Sequence, residues 1–197
     1  QPTSTFSRVG RDPDPRRDDA VERVGEVERH GAAMVVAMRS TARDAAKMLR
    51  ACLVHGRPTT AVFRAMLADI PTRDRDAWLD LLWDVDELPD DDPRLPRGCV
   101  PYLPCPVATV LEAVQHAAVT CDDVFVDVGA GLGRTALLAH LLSGAGCIGL
   151  EIQPGLVQAA RARAAWLNTS RVRFLEGDAA ELVRRVPIGT VFFLYAP

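Results

Sequence analysis

The segment 124–134, VFVDVGAGLGR, constrains the fold of this chain more than any other. Residues 124–126 are β-branched or aromatic, and such a short apolar run predicts a strand buried on both faces. The run ends at Asp127, and an apolar stretch over 132–142 is long enough for a helix. Between them lie Gly129, Gly131 and Gly133. A strand, a glycine loop and a helix predict the start of a βαβ unit, in which glycine lets a ligand approach the main chain closely.

The spacing of these glycines distinguishes two classes of cofactor. The dinucleotide pattern G-x-G-x-x-G needs a third glycine where this chain has Arg134. The pattern D-x-G-x-G-x-G from Asp127 instead resembles motif I of the class I S-adenosyl-L-methionine-dependent methyltransferases, which have a seven-stranded Rossmann-like fold. A carboxylate there suits the cationic end of that cofactor and would repel a pyrophosphate. The resemblance implies that Asp127 lies near the methionine end, and that Gly129 and Gly131 permit close backbone approach.

Two further acids follow the glycine loop at the ends of predicted strands. Glu151 lies 22 residues after Gly129, where a carboxylate can accept hydrogen bonds from both ribose hydroxyls. An acid at this position is consistent with either cofactor class. The third predicted strand covers 171–176, and a Gly-Asp pair follows it. The resemblance implies that Asp178 and the backbone N–H of Ala179 contact adenine.

Two tyrosines are candidates for the rest of the site. Tyr102 lies in 99–106, a segment with three prolines that cannot be helical and that precedes a predicted helix over 107–119. In the family, the loop before this helix often folds over the cofactor, so Tyr102 is either a cofactor-binding lid residue or a packed tyrosine. Tyr195 lies in the fourth predicted strand, 190–197. It is either a catalytic residue lining the methyl-transfer site or a packed side chain at the strand end.

The end of the fourth strand bears on the subfamily. Many amino-group methyltransferases carry Asn/Asp-Pro-Pro-Tyr/Phe there, whereas this chain carries Tyr195-Ala-Pro. This segment is loosely similar to the corresponding segment of Dot1-type lysine methyltransferases, but it lacks the asparagine expected there. The resemblance implies methyl transfer by direct displacement to an unidentified small-molecule or protein acceptor, with a general base needed only if the acceptor arrives protonated. An NAD-dependent oxidoreductase and a non-catalytic binding or scaffold protein remain alternatives.

The order of elements predicts an α/β fold with a Rossmann-like parallel sheet of about four strands, preceded by a helical region. We predict a disordered leader over 1–19, helices and a linker over 20–98, and the cofactor-binding core over 99–197. Within the linker, the acidic, proline-rich stretch 84–98 is predicted to be solvated. Thr72 is predicted to cap a helix.

The resemblance also implies that the sheet is incomplete. The family arranges its seven strands in the order 3-2-1-4-5-7-6, and this sequence contains only the first four. The fourth strand would then form an exposed apolar edge, which promotes aggregation. We therefore expect a fragment, or a fold whose sheet is completed by a second chain or a missing C-terminal segment.

Composition argues against several other classes of function. The formal net charge of −3 gives no support for a nucleic-acid partner, and no run of 18 or more apolar residues predicts a membrane span. The five cysteines form no C-x-x-C pair and the four histidines are scattered, so neither a disulfide framework nor a metal site is expected. The sequence has no secretory signal, and we expect a cytoplasmic protein. Its single lysine among many arginines indicates a GC-rich, bacterial genome.

Overall fold

The structure is a computed structural model of the chain, and it describes residues 43–53, 60–85, 87–166, 170–186 and 189–195. All of these residues belong to one compact unit that begins at Ala42. The leader predicted over 1–19 lies outside the described residues, and the domain boundaries predicted within the chain stay predictions.

Helices and strands alternate from the first strand onward. The helices are α1 (residues 43–53), α2 (Thr60–Asp69), α3 (Arg75–Trp83), α4 (Val107–His116), α5 (Arg134–Ser143), α6 (Pro154–Trp166) and the short α7 (Ala179–Leu182). The strands are β1 (Val124–Val128), β2 (Gly146–Glu151), β3 (Val172–Glu176) and β4 (Val191–Leu194). Among the described residues, no helix is both long enough and apolar enough to cross a membrane.

The four strands form one parallel sheet in the order β3-β2-β1-β4. Asp127 of β1 lies beside Gly149 of β2 and Phe193 of β4, and Glu151 of β2 lies beside Glu176 of β3. The carboxyl ends of the strands therefore meet at one edge of the sheet, where open α/β folds bind ligands. The predicted Rossmann-like α/β fold class is confirmed.

The helices that precede β1 share the main hydrophobic core with α5 and one face of the sheet. Phe63 of α2 and Trp78 of α3 are fully buried in this core, with their ring centroids 6.3 Å apart. Helix α5 is buried along most of its length, because α2 and α4 cover the side that faces away from the sheet. The opposite face of the sheet carries a smaller cluster, made of Val126, Ile148, Leu150 and Leu182. The helical region thus supports β1 and the glycine loop directly.

Strand β4 forms one edge of the described sheet and has an apolar side that faces solvent. Phe193 faces the main core and stacks on Phe125, with their ring centroids 5.8 Å apart. Because side chains alternate along a strand, Phe192 and Leu194 point the other way, and they are 59% and 69% exposed. The expectation that a further segment or a second chain completes the sheet stays a prediction.

The structure corrects two local predictions. Thr72 does not cap a helix: it begins a short 3-10 turn, and α3 starts three residues later without a side-chain cap. The acidic stretch 84–98 is not simply solvated, because residues 91–92 form hydrogen bonds with Gln153, about sixty residues further along the chain. The connector between α3 and α4 is therefore part of the folded structure.

Candidate functional site

A cleft of about 610 Å³ lies at the carboxyl ends of the strands, and its volume is typical of small-molecule sites. The connector between α3 and α4 forms part of its wall. The cleft brings together seven of the eight residues that the sequence predicts for the site: Tyr102, Asp127, Gly129, Glu151, Asp178, Ala179 and Tyr195. The eighth residue, Gly131, does not line the cleft.

Asp127 is a buried carboxylate on the cleft, and one of its oxygens has no hydrogen-bond partner in the protein. It is only 3% exposed, and the unpartnered oxygen is Oδ2. Burial raises the pKa of Asp127 to about 7, against a backbone hydrogen bond from Ala136 that lowers it, while the charge of Glu151 raises it further. A buried acid in this state is stabilised by a cation or a hydrogen-bond donor, which the cleft can admit.

Glu151 connects the glycine loop to the turn after β2. Its Oε2 atom accepts the N–H of Gly131 at 2.7 Å, and its Oε1 atom accepts the N–H of Gln153 at 2.8 Å. These two bonds fix the orientation of the buried carboxylate. Each oxygen keeps a second lone pair, so the carboxylate can still accept hydrogen bonds from two neighbouring hydroxyls of a ligand.

Asp178 and Ala179 lie where β3 leads into α7. Asp178 caps this short helix, and its Oδ1 atom accepts the N–H of Ala180 at 2.8 Å. The preceding Gly177 donates its N–H to the carbonyl of Glu151 at 2.9 Å. The two strand ends that carry Glu151 and Asp178 are therefore joined, and both acids lie on the same cleft.

Two glycines of the loop have different surroundings. Gly129 has a φ of +79°, and a Cβ atom there would meet nothing within 4 Å, so a ligand can approach its backbone. A Cβ atom on Gly131, whose φ is +53°, would lie 2.1 Å from Cε2 of Tyr102. The group that approaches Gly131 closely is therefore the Tyr102 ring.

Tyr102 is both packed and part of the cleft, so the two interpretations of this residue are compatible. Its side chain is half-buried over Gly131, and its ring also lines the cleft. Burial raises the pKa of Tyr102 to about 12, so its hydroxyl stays protonated near neutral pH. The hydroxyl is therefore available as a hydrogen-bond donor and not as a base.

Tyr195 lies at the end of β4, where its half-buried ring packs against the main core and lines the cleft. Other residues that line the cleft are apolar and largely exposed: Val100, Leu103 and Leu194. This part of the cleft offers an apolar surface to whatever enters it.

Arg134 is a site residue that the sequence analysis missed. It begins α5, is buried, and forms ion pairs with Asp76 at 2.7 Å and with Asp80. Its Nε atom also donates to the carbonyl of Cys105 at 3.1 Å. Burial raises the pKa of Asp80 although the charge of Arg134 opposes this change. Arg134 therefore joins α3, the connector and the glycine loop. The sequence signal that could have identified it is a lone arginine at the start of an apolar helix.

Comparisons with known proteins return methyltransferases among solved structures, whereas no family model and no curated protein matches the chain. An RNA methyltransferase from Salinibacter ruber in complex with S-adenosyl-L-homocysteine is 36% identical over 40% of this chain and 52% of its own, with a TM-score of 0.39. A geranyl diphosphate C-methyltransferase from Streptomyces coelicolor A3(2), also with S-adenosyl-L-homocysteine, is 25% identical over 35% and 27%, with a TM-score of 0.33. A dimethyladenosine transferase from Plasmodium falciparum is 19% identical over 49% and 34%, with a TM-score of 0.43.

This chain spans about half of the first of these structures and a smaller part of the other two. With TM-scores below 0.5, the similarities are too partial to assign an activity. The loose likeness to Dot1-type enzymes stays a prediction. The function of this chain is therefore proposed from the residues of its own cleft.

Proposed function

We propose that this chain binds S-adenosyl-L-methionine in the cleft and takes part in methyl transfer. The observation that carries the proposal is Asp127, a buried acid with an unpartnered oxygen at the end of β1, two residues before the glycine loop. Such a group suits a ligand whose end carries an ammonium ion. Glu151 and Asp178 on the same cleft supply acceptors for the rest of the nucleoside.

Each predicted residue has a group of the cofactor that its chemistry fits. Asp127 would hold the α-ammonium, and the open space beside Gly129 would admit the cofactor to the backbone. Glu151 would accept bonds from the ribose hydroxyls, because its carboxylate is already oriented by two backbone N–H groups. Asp178 would accept a bond from the adenine amino group, with the N–H of Ala179 beside it.

The charges of the cleft favour this cofactor over a dinucleotide. A pyrophosphate would need N–H groups of the loop that point at it without a nearby acid. Here the N–H of Gly131 is already donated to Glu151, and Asp127 lies under the loop as a second acid. An NAD-dependent oxidoreductase is therefore the second candidate function.

When bound, S-adenosyl-L-methionine supplies a methyl group that is already activated by the sulfonium. The residues of this chain would then position the reactants and exclude water. Tyr195 and the exposed apolar residues that line the cleft would form its acceptor side. This surface fits an acceptor that presents a largely apolar group, on a small molecule or a protein, and no nucleic acid is needed to explain it.

A reducing compartment suits the chemistry of the chain. All five cysteines are free thiols, and Cys52, Cys99 and Cys121 are exposed. We therefore propose a cytoplasmic protein, and the strong preference for arginine over lysine supports a bacterial source.

Titration calorimetry with S-adenosyl-L-methionine, S-adenosyl-L-homocysteine and NAD tests the proposal. We expect both adenosyl compounds to bind one to one, and NAD to give no heat of binding. Glu151→Gln should weaken binding at least ~10-fold, which is about 1.4 kcal/mol. Glu176→Gln is the matched control, because Glu176 pairs with Glu151 in the sheet register but lies outside the cleft. Binding of NAD alone, or equal affinities in both variants, would contradict the proposal.

A further inference from the structure

The connector between α3 and α4 lies along the cleft and is attached at three places. We call residues 91–105 the strap. Its first two residues bond to Gln153, its Tyr102 ring packs on the glycine loop, and its Cys105 carbonyl accepts a hydrogen bond from Arg134. Most of the strap between these attachments is exposed, and it still lines the cleft.

A single buried side chain makes the first attachment. Gln153 is 5% exposed, and its Nε2 atom donates to Oδ1 of Asp91 at 2.8 Å. Its Oε1 atom accepts the N–H of Asp92 at 2.7 Å. The same Oδ1 atom of Asp91 also accepts the N–H of Tyr102 at 2.9 Å. Gln153 and Asp91 thus fasten both the start and the middle of the strap to the turn after β2.

This attachment is joined directly to the carboxylate assigned to the ribose. The backbone N–H of Gln153 donates to Glu151, whose other oxygen accepts the N–H of Gly131. The Tyr102 ring covers the place where a side chain on Gly131 would lie. Glu151 is therefore connected to the strap by two series of contacts, one through Gln153 and one through the glycine loop.

We propose that Asp91 and Gln153 form a latch that holds the strap closed over the bound cofactor. Gln153 is a positioning residue, because its backbone orients Glu151 while its side chain holds the strap. The inference rests on the proposed function, since closure matters only if the cleft holds a ligand. The strap forms part of the wall, so its position determines how closely the cleft surrounds a bound cofactor. The latch consists of hydrogen bonds between Gln153 and partly exposed residues of the strap, which can break without unfolding the core.

Hydrogen–deuterium exchange measures the latch in the absence of cofactor. Pro101, Pro104 and Pro106 have no amide hydrogen, and the first two residues of a peptide lose their label, so a peptide over 99–106 reports on Tyr102, Leu103 and Cys105 alone. Removing the acceptor of the Tyr102 N–H in Asp91→Ala should speed exchange of this peptide ~10-fold. Gln153→Ala removes the other partner of the latch and should speed exchange of this peptide similarly. It keeps the backbone N–H that holds Glu151, so the effect reports on the strap.

Stopped-flow release of S-adenosyl-L-homocysteine measures what the latch does. We expect release to be ~10-fold faster in Asp91→Ala and in Gln153→Ala, and no faster in the double variant than in either single one. Asp91→Asn keeps an oxygen that can accept both hydrogen bonds, so it should release the ligand within a few-fold of the wild-type rate. Asp90→Ala is the matched control, because Asp90 is exposed and lies outside the cleft.

The outcomes separate the latch from the proposed function. If the wild-type chain binds S-adenosyl-L-homocysteine and the Asp91 and Gln153 variants release it at the wild-type rate, the latch is wrong and the function stands. If release is faster in Asp90→Ala as well, the effect is not specific to the latch, which is then also refuted. If the wild-type chain does not bind, the proposed function fails and the strap is not a cofactor lid.

Discussion

Replacing Asp127 with asparagine is expected to stabilise the free protein. The pKa of this buried acid is raised from 3.8 to about 7, so at pH 8 folding must bury a charge that the unfolded chain keeps in water. Each pKa unit corresponds to ~1.4 kcal/mol, so burying this charge lowers the free energy of unfolding at pH 8 by about 4 kcal/mol. The buried amide of asparagine would itself lack a partner, which reduces the expected gain to about 2 kcal/mol.

The pH dependence of this gain has a defined sign. A raised pKa of an acid destabilises the fold only where the unfolded group is ionised, so the gain is small near pH 4, grows up to pH 7 and then levels off. Urea denaturation at pH 5 and pH 8 measures it. Asp123→Asn is the control, because hydrogen bonds from Thr120 and Thr190 lower the pKa of Asp123 and its replacement should destabilise the fold.

The same substitution is expected to weaken binding of S-adenosyl-L-homocysteine. At pH 8 the loss of a charged hydrogen-bond partner should lower affinity by about 10- to 100-fold. At pH 5.5 most of the wild-type Asp127 is already protonated, so the wild-type and Asn affinities should converge. A variant that is less stable at pH 8, or that binds the ligand as tightly as the wild type does there, would refute the role given to Asp127.

Three further predictions concern other parts of the structure. Gly131→Ala should abolish ligand binding by displacing the Tyr102 ring, and Tyr102→Ala in the same chain should partly restore it, as calorimetry would show. Arg134→Ala should lower the free energy of unfolding by about 2–4 kcal/mol in urea titrations, since two acids lose their partner. Phe192→Thr with Leu194→Thr should reduce self-association in sedimentation velocity, because both side chains are exposed on an edge strand.

The sequence predicted those site residues that consecutive strands bring together. Asp127, Glu151 and Asp178 each lie at or just beyond the end of a strand in one βαβαβ series. In a parallel sheet such ends meet at one edge, so the order of elements together with the family resemblance placed all three acids on one cleft, and their contacts with a cofactor stay a prediction. The glycine pattern also predicted an open backbone at Gly129, which the structure has.

Contacts between distant segments could not be predicted in this way. Arg134 pairs with acids more than fifty residues earlier in the chain, and Asp91 meets Gln153 across 62 residues. Local composition made the acidic connector look solvated, because a run of aspartates usually is. Only the fold brings α3 to the start of α5 and the connector to the turn after β2, where those charges find partners.

The most direct test of the central claim is a crystal structure of this chain with S-adenosyl-L-homocysteine. We predict that the ligand lies in the cleft at the carboxyl ends of β1 to β3. Its amino acid end should be near Asp127, its ribose on Glu151 and its adenine beside Asp178, under a closed strap. A ligand bound elsewhere, or a ribose that does not contact Glu151, would contradict the account.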